Sequence, residues 1–179
     1  MALTATVYIF ELSISDMDRG VYEQLTLNVA CHPSESAEYM LTWVLAHGLE
    51  QQEGLSFSRG LAFADEPALW VKDLTGRMLA WIEVGTPAID RLHKAAKGCD
   101  RVVVYCHKEI GRYLENLSGG KISHPERVSI VALDPALIEA LAERLQRRNV
   151  LNLSVTEGTI YLDLNGESHV LTPTRHAPR

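Results

Sequence analysis

A carboxylate set inside an apolar run is the first residue whose type and position could do chemistry. Glu83 interrupts Trp81, Ile82 and Val84 at the end of the run Met78–Val84. An acid in that setting must be paired, hydrogen-bonded or metal-bound to remain charged. The chain then turns at Gly85 and Pro87 and enters a short helix. Arg91, Lys94 and Lys97 recur every three residues and share one flank of it. They read either as a solvated cationic face, or as a charge partner for Glu83 or an anion ligand.

The elements that position Glu83 follow from the local pattern. Leu69–Val71 and Met78–Val84 flank a turn signal at Asp73–Gly76, a β-hairpin. With a turn of two to four residues, Glu83 falls opposite Glu66–Ala68. Pro87 suits a first helical turn, and Ile89, Leu92 and Ala96 face inward. Val102–Tyr105 is continuously apolar, as in a parallel strand covered on both faces. A helix over Lys108–Leu117 follows, then a strand at Val128–Leu133. Asp134-Pro135 caps another helix, with Leu137, Ile138, Leu141 and Leu145 inward. Strand, helix, strand, helix, strand implies right-handed crossovers and a parallel segment of sheet.

The two ends read as antiparallel. Thr4–Ser15 and Val21–Ala30 alternate around a turn at Asp16–Gly20, with Asp16, Asp18 and Arg19 at a solvated tip. Ser34 is the expected N-cap of a helix carrying Met40, Leu41, Val44, Leu45 and Gly48 inward, with Glu35 in its first turn. Glu38 lies near the edge of that apolar face. Gln51–Asp65 is a long connection pinned by Phe57, Leu61 and Phe63, in which Arg59 beside Gly60 is within reach of an anion. Val150–Leu171 breaks at Glu157-Gly158 and Asn165-Gly166 into short strands. The expected fold is α/β: a mixed sheet flanked by helices in one domain over residues 1–172, with a loose polar tail over residues 173–179.

The 179 residues are 46% hydrophobic, enough for a sizeable core. A net charge of -6 lacks the basic footprint of a dedicated nucleic-acid binder, so nucleic acid is not the favoured partner. Cys31, Cys99 and Cys106 form no CxxC pair and fit buried reduced thiols, which suits a cytoplasmic protein. No apolar run approaches a membrane span. There is no G-x-S-x-G, P-loop or dinucleotide fingerprint.

A packing helix, then a hairpin whose second strand carries an acid, then a helix and a parallel strand, resembles the core of the PD-(D/E)XK nuclease superfamily. Across nearly its whole length the chain also resembles the YaeQ family. The matching stretches are MALTATVYIFELSISDMDRGVY, HPSESAEYML, SRGLAFADEPALW and WIEVGTPAIDRLHKA. The resemblance implies a restriction-endonuclease-like (PD-(D/E)XK) core in which Glu38 is the helix glutamate, Glu83-Val84-Gly85 the Glu-x-Lys position and Pro67-Ala68 the Pro-Asp position. It implies Mg²⁺ held through Glu66 and Glu83, with catalytic roles for Glu38, Glu83 and Lys94. Carboxylates bind Mg²⁺ through oxygen, and the metal stabilises charge on a transferring phosphate. Ala68 stands where the superfamily has a metal-binding aspartate, and Gly85 where it has the catalytic lysine. Glu66 or Asp65 would have to supply the acid, and Lys94 the base. Two readings stand: a Mg²⁺-dependent phosphodiesterase or nuclease with a degenerate motif, and a noncatalytic binding or regulatory protein on a nuclease-like scaffold.

Overall fold

The structure is a computed structural model and describes residues 4–59 and 63–178. Gly60 and Leu61 lie outside the described residues. The chain divides into two compact units, each built from two separated stretches: residues 1–49 with 134–173, and 50–133 with 174–179. Two mixed sheets are present rather than the single mixed sheet expected, one in each unit.

In the first unit, β1 (Thr6–Asp16) and β2 (Val21–Cys31) form the long antiparallel hairpin that their alternation predicts. The sheet grows on the other side of β1 through β8 (Arg148–Thr156), which runs parallel to it, and then through β9 (Thr159–Leu164) and β10 (Glu167–Leu171). Phe10, Leu12 and Ile14 of β1 and Leu151 and Leu153 of β8 alternate inward. Helix α1 (Ala37–Leu49) is buried on every side over Met40–Gly48 and packs on β1, β2 and α4 (Pro135–Ala142). Asp134 caps α4 as expected, its carboxylate accepting from the amides of Ala136 and Leu137.

Three local expectations change in this unit. The hydroxyl that receives an amide at the start of α1 is Ser36, which accepts from Tyr39, whereas Ser34 bonds the ring of His32. Glu35 therefore precedes the helix, and burial raises its pKa. The hairpin tip is solvated at Asp18 and Arg19, as expected, but not at Asp16. Asp16 is 3% exposed and grips Arg19, and Asp18 accepts from the amides of Glu157 and Gly158, tying the β1–β2 turn to the β8–β9 turn. Cys31 is half-buried, while Cys99 and Cys106 are buried; all three are free thiols.

The second unit carries the order β11-β7-β6-β5-β4-β3. β4 (Leu69–Lys72) and β5 (Met78–Val84) are the expected hairpin, with a bulge between Val71 and Lys72. β5, β6 (Arg101–Cys106) and β7 (Val128–Ala132) run parallel, linked by α2 (Ile89–Gly98) and α3 (Ile110–Ser118). Val102, Val103 and Val104 are fully buried, as a covered parallel strand requires. Pro87 stands just outside α2, whose N-cap is Ala88.

Two segments read as irregular join this sheet. β3 (Leu55–Phe57) lies within the long connection and pairs with β4, since Leu55 and Phe57 present a short alternating face to it. Phe63 is exposed, with the Arg59 guanidinium over its ring, and does not pin the connection to the core. The tail is not loose: β11 (Thr174–His176) pairs antiparallel with β7 and covers its open side. No helix among the described residues is long and apolar enough to cross a membrane.

Candidate functional site

Glu83 lies on β5, a central strand between β4 and β6. Its neighbours in register are Val104 on β6 and, one step beyond the Leu69–Ile82 pair, Ala68 before β4. Strand alternation puts Trp81 and Glu83 on one face and Ala80, Ile82 and Val84 on the other. Helix α2 follows β5 after the Gly85 turn and lays its Leu92, Ala95 and Ala96 side against the core formed with Val102, Val104 and Tyr113, with Trp81 and Ile89 packed at its margin. Arg91 is thereby carried over the Glu83 face.

The carboxylate of Glu83 keeps 7% of its side chain exposed and Arg91 keeps 31%. Glu83 Oε1 accepts from Arg91 Nε at 2.5 Å and from Trp81 Nε1 at 2.6 Å. The other two nitrogens of the guanidinium donate to backbone carbonyls, Nη1 to Ala64 and Nη2 to Glu66. One cation thus draws together a strand acid and two loop oxygens. Burial pushes the Glu83 pKa up, against the opposing pull of Arg91 and Trp81. The charge on Glu83 also helps raise the pKa of Tyr113, after burial and Cys106, and the Tyr113 hydroxyl donates to the Pro87 carbonyl.

Two expected companions of Glu83, Glu66 and Lys94, meet other side chains. Glu66 turns its carboxylate to Arg59, whose backbone amide and Nε both donate to it, and this holds its pKa down. Lys94 meets Asp65 at 3.2 Å, both side chains being largely in water. Glu66 and Glu83 therefore converge on Arg91 through a carbonyl and a carboxylate, not as two free carboxylates. Glu38 belongs to the first unit, where its carbonyl accepts from the Thr42 hydroxyl. Among the described residues no three His, Cys, Asp or Glu side chains are grouped so as to hold a metal ion.

Beside the Glu83–Arg91 pair runs a groove of about 660 Å³. Met78, Trp81 and Ala95 give it apolar lining, and Asp65, Lys94 and Lys97 are among its charged residues.

The functional arrangement that sequence reasoning missed is the pair of carbonyls at Ala64 and Glu66, since a backbone oxygen carries no residue-type signal. A charge partner for Glu83 on the helix after it is legible in the sequence, from the three-residue spacing of Arg91, Lys94 and Lys97, and Arg91 is the one that takes the role. A second buried pairing gave no signal. Glu50 is 4% exposed, takes both Nη atoms of Arg101 at 2.7 and 2.9 Å, and accepts from the Tyr105 hydroxyl at 2.6 Å. Its carboxylate is fully engaged there, which marks it as a structural tie.

Comparison with known proteins agrees with this architecture. The family profile described as YaeQ protein matches residues 1–173. The uncharacterized YaeQ protein of Salmonella typhi is 30% identical over 163 residues, covering 90% of each chain. That of Escherichia coli (strain K12) is 30% identical over 165 residues, again covering 90% of each. The crystal structure of YaeQ protein from Pseudomonas syringae superposes with a TM-score of 0.86 at 34% identity, over 96% of this chain and 95% of that one. The crystal structure of the YaeQ protein from Xanthomonas axonopodis pv. citri gives 0.83 at 32%, over 98% and 100%. With its mixed α/β architecture of two sheets and four α-helices among the described residues, this chain belongs to the YaeQ family.

Proposed function

We propose that this chain is a noncatalytic binding protein on a restriction-endonuclease-like (PD-(D/E)XK) scaffold, and that its ligand occupies the groove beside Glu83. The observation that carries this reading is the Arg91 guanidinium. It takes up Glu83 Oε1 and the carbonyls of Ala64 and Glu66, a hard-oxygen set of the kind a divalent cation would use. The cation here is part of the chain, so the oxygens are already neutralised and the acid is already paired. The residues present do not fit a bound Mg²⁺, because Glu66 is committed to Arg59 as well.

The two motif departures support the same reading. Ala68 is buried and offers no ligand where the superfamily has an acid. Gly85 sits at φ +95°, a conformation that side-chain-bearing residues rarely adopt. A lysine at that position would strain the turn, so the backbone has departed along with the side chain. The groove then offers an apolar wall of Trp81, Met78 and Ala95, and its charged lining is Arg91, Lys94 and Lys97 against Asp65 and Asp90, with Lys94 paired to Asp65 and Lys97 in no ion pair among the described residues. That combination suits a ligand with an apolar body and an anionic end.

Calorimetric titration separates this from the metal reading, in which Glu66 and Glu83 hold Mg²⁺, Glu38 is catalytic and Lys94 supplies the base. Millimolar Mg²⁺ or Mn²⁺ added to the wild-type chain should give no saturable heat, and an activated phosphodiester such as bis-p-nitrophenyl phosphate should not be hydrolysed. Saturable metal binding that Glu83→Gln abolishes, with turnover of the phosphodiester, would overturn the proposal.

A further inference from the structure

The sheet of the first unit ends at β2, and that edge is unlike the others. β2 pairs with β1 over eleven successive residues with no break in register. The remaining sheet edges are short: β10 has five residues, β3 three and β11 three. Folded proteins usually blunt a long edge with proline, lysine, a bulge or a covering segment, because its outward amides and carbonyls will pair with any strand offered. β2 reads VYEQLTLNVAC. It has no proline, no lysine or arginine and a single charge, Glu23, and Tyr22, Gln24, Thr26 and Asn28 are exposed.

We propose that this edge pairs with β2 of a second copy of the chain, antiparallel about a two-fold axis at Thr26, giving a continuous ten-stranded sheet across the dimer. The sequence of β2 is complementary to itself in that arrangement. An axis through a residue keeps solvent-facing positions opposite solvent-facing ones, whereas an axis between residues would set every apolar side chain against a polar face. Thr26 is the midpoint of Val21–Cys31, so only there do all eleven residues pair. The opposed pairs are then Thr26 with Thr26, Leu25 with Leu27, Gln24 with Asn28, and Glu23 with Val29. Threonine and amide pairs hydrogen-bond across strands, leucines pack, and no like charges meet. About eleven main-chain hydrogen bonds would form, close to the roughly ten of a standard interface. A closed two-fold contact of this kind stops at two copies, which distinguishes it from open-ended strand aggregation.

The test uses charge at the opposed positions 24 and 28, whose neighbours on β1, Ser13 and Ile9, are uncharged. Sedimentation equilibrium of the wild-type chain should show twice the chain mass. Gln24→Lys/Asn28→Lys sets ammonium groups opposite each other at two places and should weaken the dimer about tenfold or more. Gln24→Glu/Asn28→Lys sets opposite charges face to face at the same two places and should dimerise as well as wild type. Far-UV circular dichroism and melting curves verify that both variants keep the fold. A wild-type chain that stays monomeric at hundreds of micromolar overturns the proposal, and so does an equal response of the two variants. This outcome is independent of the groove and of metal binding, so its failure would leave the proposed function untouched.

Discussion

Removing Arg91 should expose the weight carried by the Glu83 pair. Arg91→Leu keeps an aliphatic side chain at the position and deletes three donors at once. Glu83 would remain 7% exposed with Trp81 as its principal hydrogen-bond donor. Breaking a buried ion pair from one side costs about 3–5 kcal/mol. Arg91 retains 31% exposure, so water already screens part of the interaction and about 2–3 kcal/mol is the better expectation. For a domain of this size that lowers Tm by roughly 4–12 °C.

The loss should depend on pH with a definite sign. Burial already raises the folded pKa of Glu83 above 4.5, and removing Arg91 takes away the main effect that lowers it. A raised folded pKa means stability that is full below the unfolded value and lost as pH rises through the folded one. The deficit of Arg91→Leu should therefore be small near pH 4.5 and large at pH 8. Urea unfolding of both proteins across that range measures it. Adding Glu83→Gln to Arg91→Leu should recover part of the deficit at pH 8, because no buried charge then lacks its partner. A deficit below about 0.5 kcal/mol at pH 8, within the scatter of ordinary surface substitutions, or one that does not change with pH, would refute the reasoning.

Two further outcomes follow from other sites. His47 is 7% exposed on α1 and burial lowers its pKa from 6.5 to about 4, so it favours the folded state fully above pH 6.5 and loses that contribution, about 3 kcal/mol in all, as pH falls through 4; His47→Gln should flatten the stability-versus-pH curve over that window in urea titrations. Gly54 holds φ +85° and a Cβ there would stand 2.0 Å from the Lys72 carbonyl, so Gly54→Ala should cost about 2–3 kcal/mol by forcing β3 away from β4, read as a drop in melting temperature.

The elements were legible where their cause is local. Alternation in Thr4–Ser15 and Val21–Ala30, the Asp134-Pro135 cap and the continuously apolar Val102–Tyr105 each state their own conformation, and the structure has them all. Glu83 was legible as an acid that must be paired, and Arg91 as one of three candidates to pair it. What was hidden depends on partners distant in sequence. Nothing in Arg148–Thr156 says that it runs parallel to β1, and nothing in Thr174–His176 says that it covers β7, because strand pairing is a property of two segments. The bonds of Asp16 and Asp18 were hidden because the donors they accept from, the Arg19 side chain and two amides of another turn, are revealed only by the fold. The engagement of Glu66 by Arg59 was hidden in the same way. Spacing alone leaves an acid free to reach a metal, and the loop geometry decides that it meets a guanidinium.

The interleaved path of the chain bears on how the protein can be made and cut. β1 leaves the ribosome early, yet its parallel neighbour β8 begins at Arg148. The β1–β2 hairpin must wait through the synthesis of the whole central sheet with both long edges bare, a period in which it is open to chaperones and to wrong partners. Assembly that rests on such distant pairing is slow. Excision is constrained as well. A fragment ending after β7 would leave that apolar strand without β11, and one ending before β8 would strand β1 and β2. Neither unit can be obtained by trimming one end, and because the four segments alternate between the units, re-ordering the chain by circular permutation would leave each unit discontinuous as well.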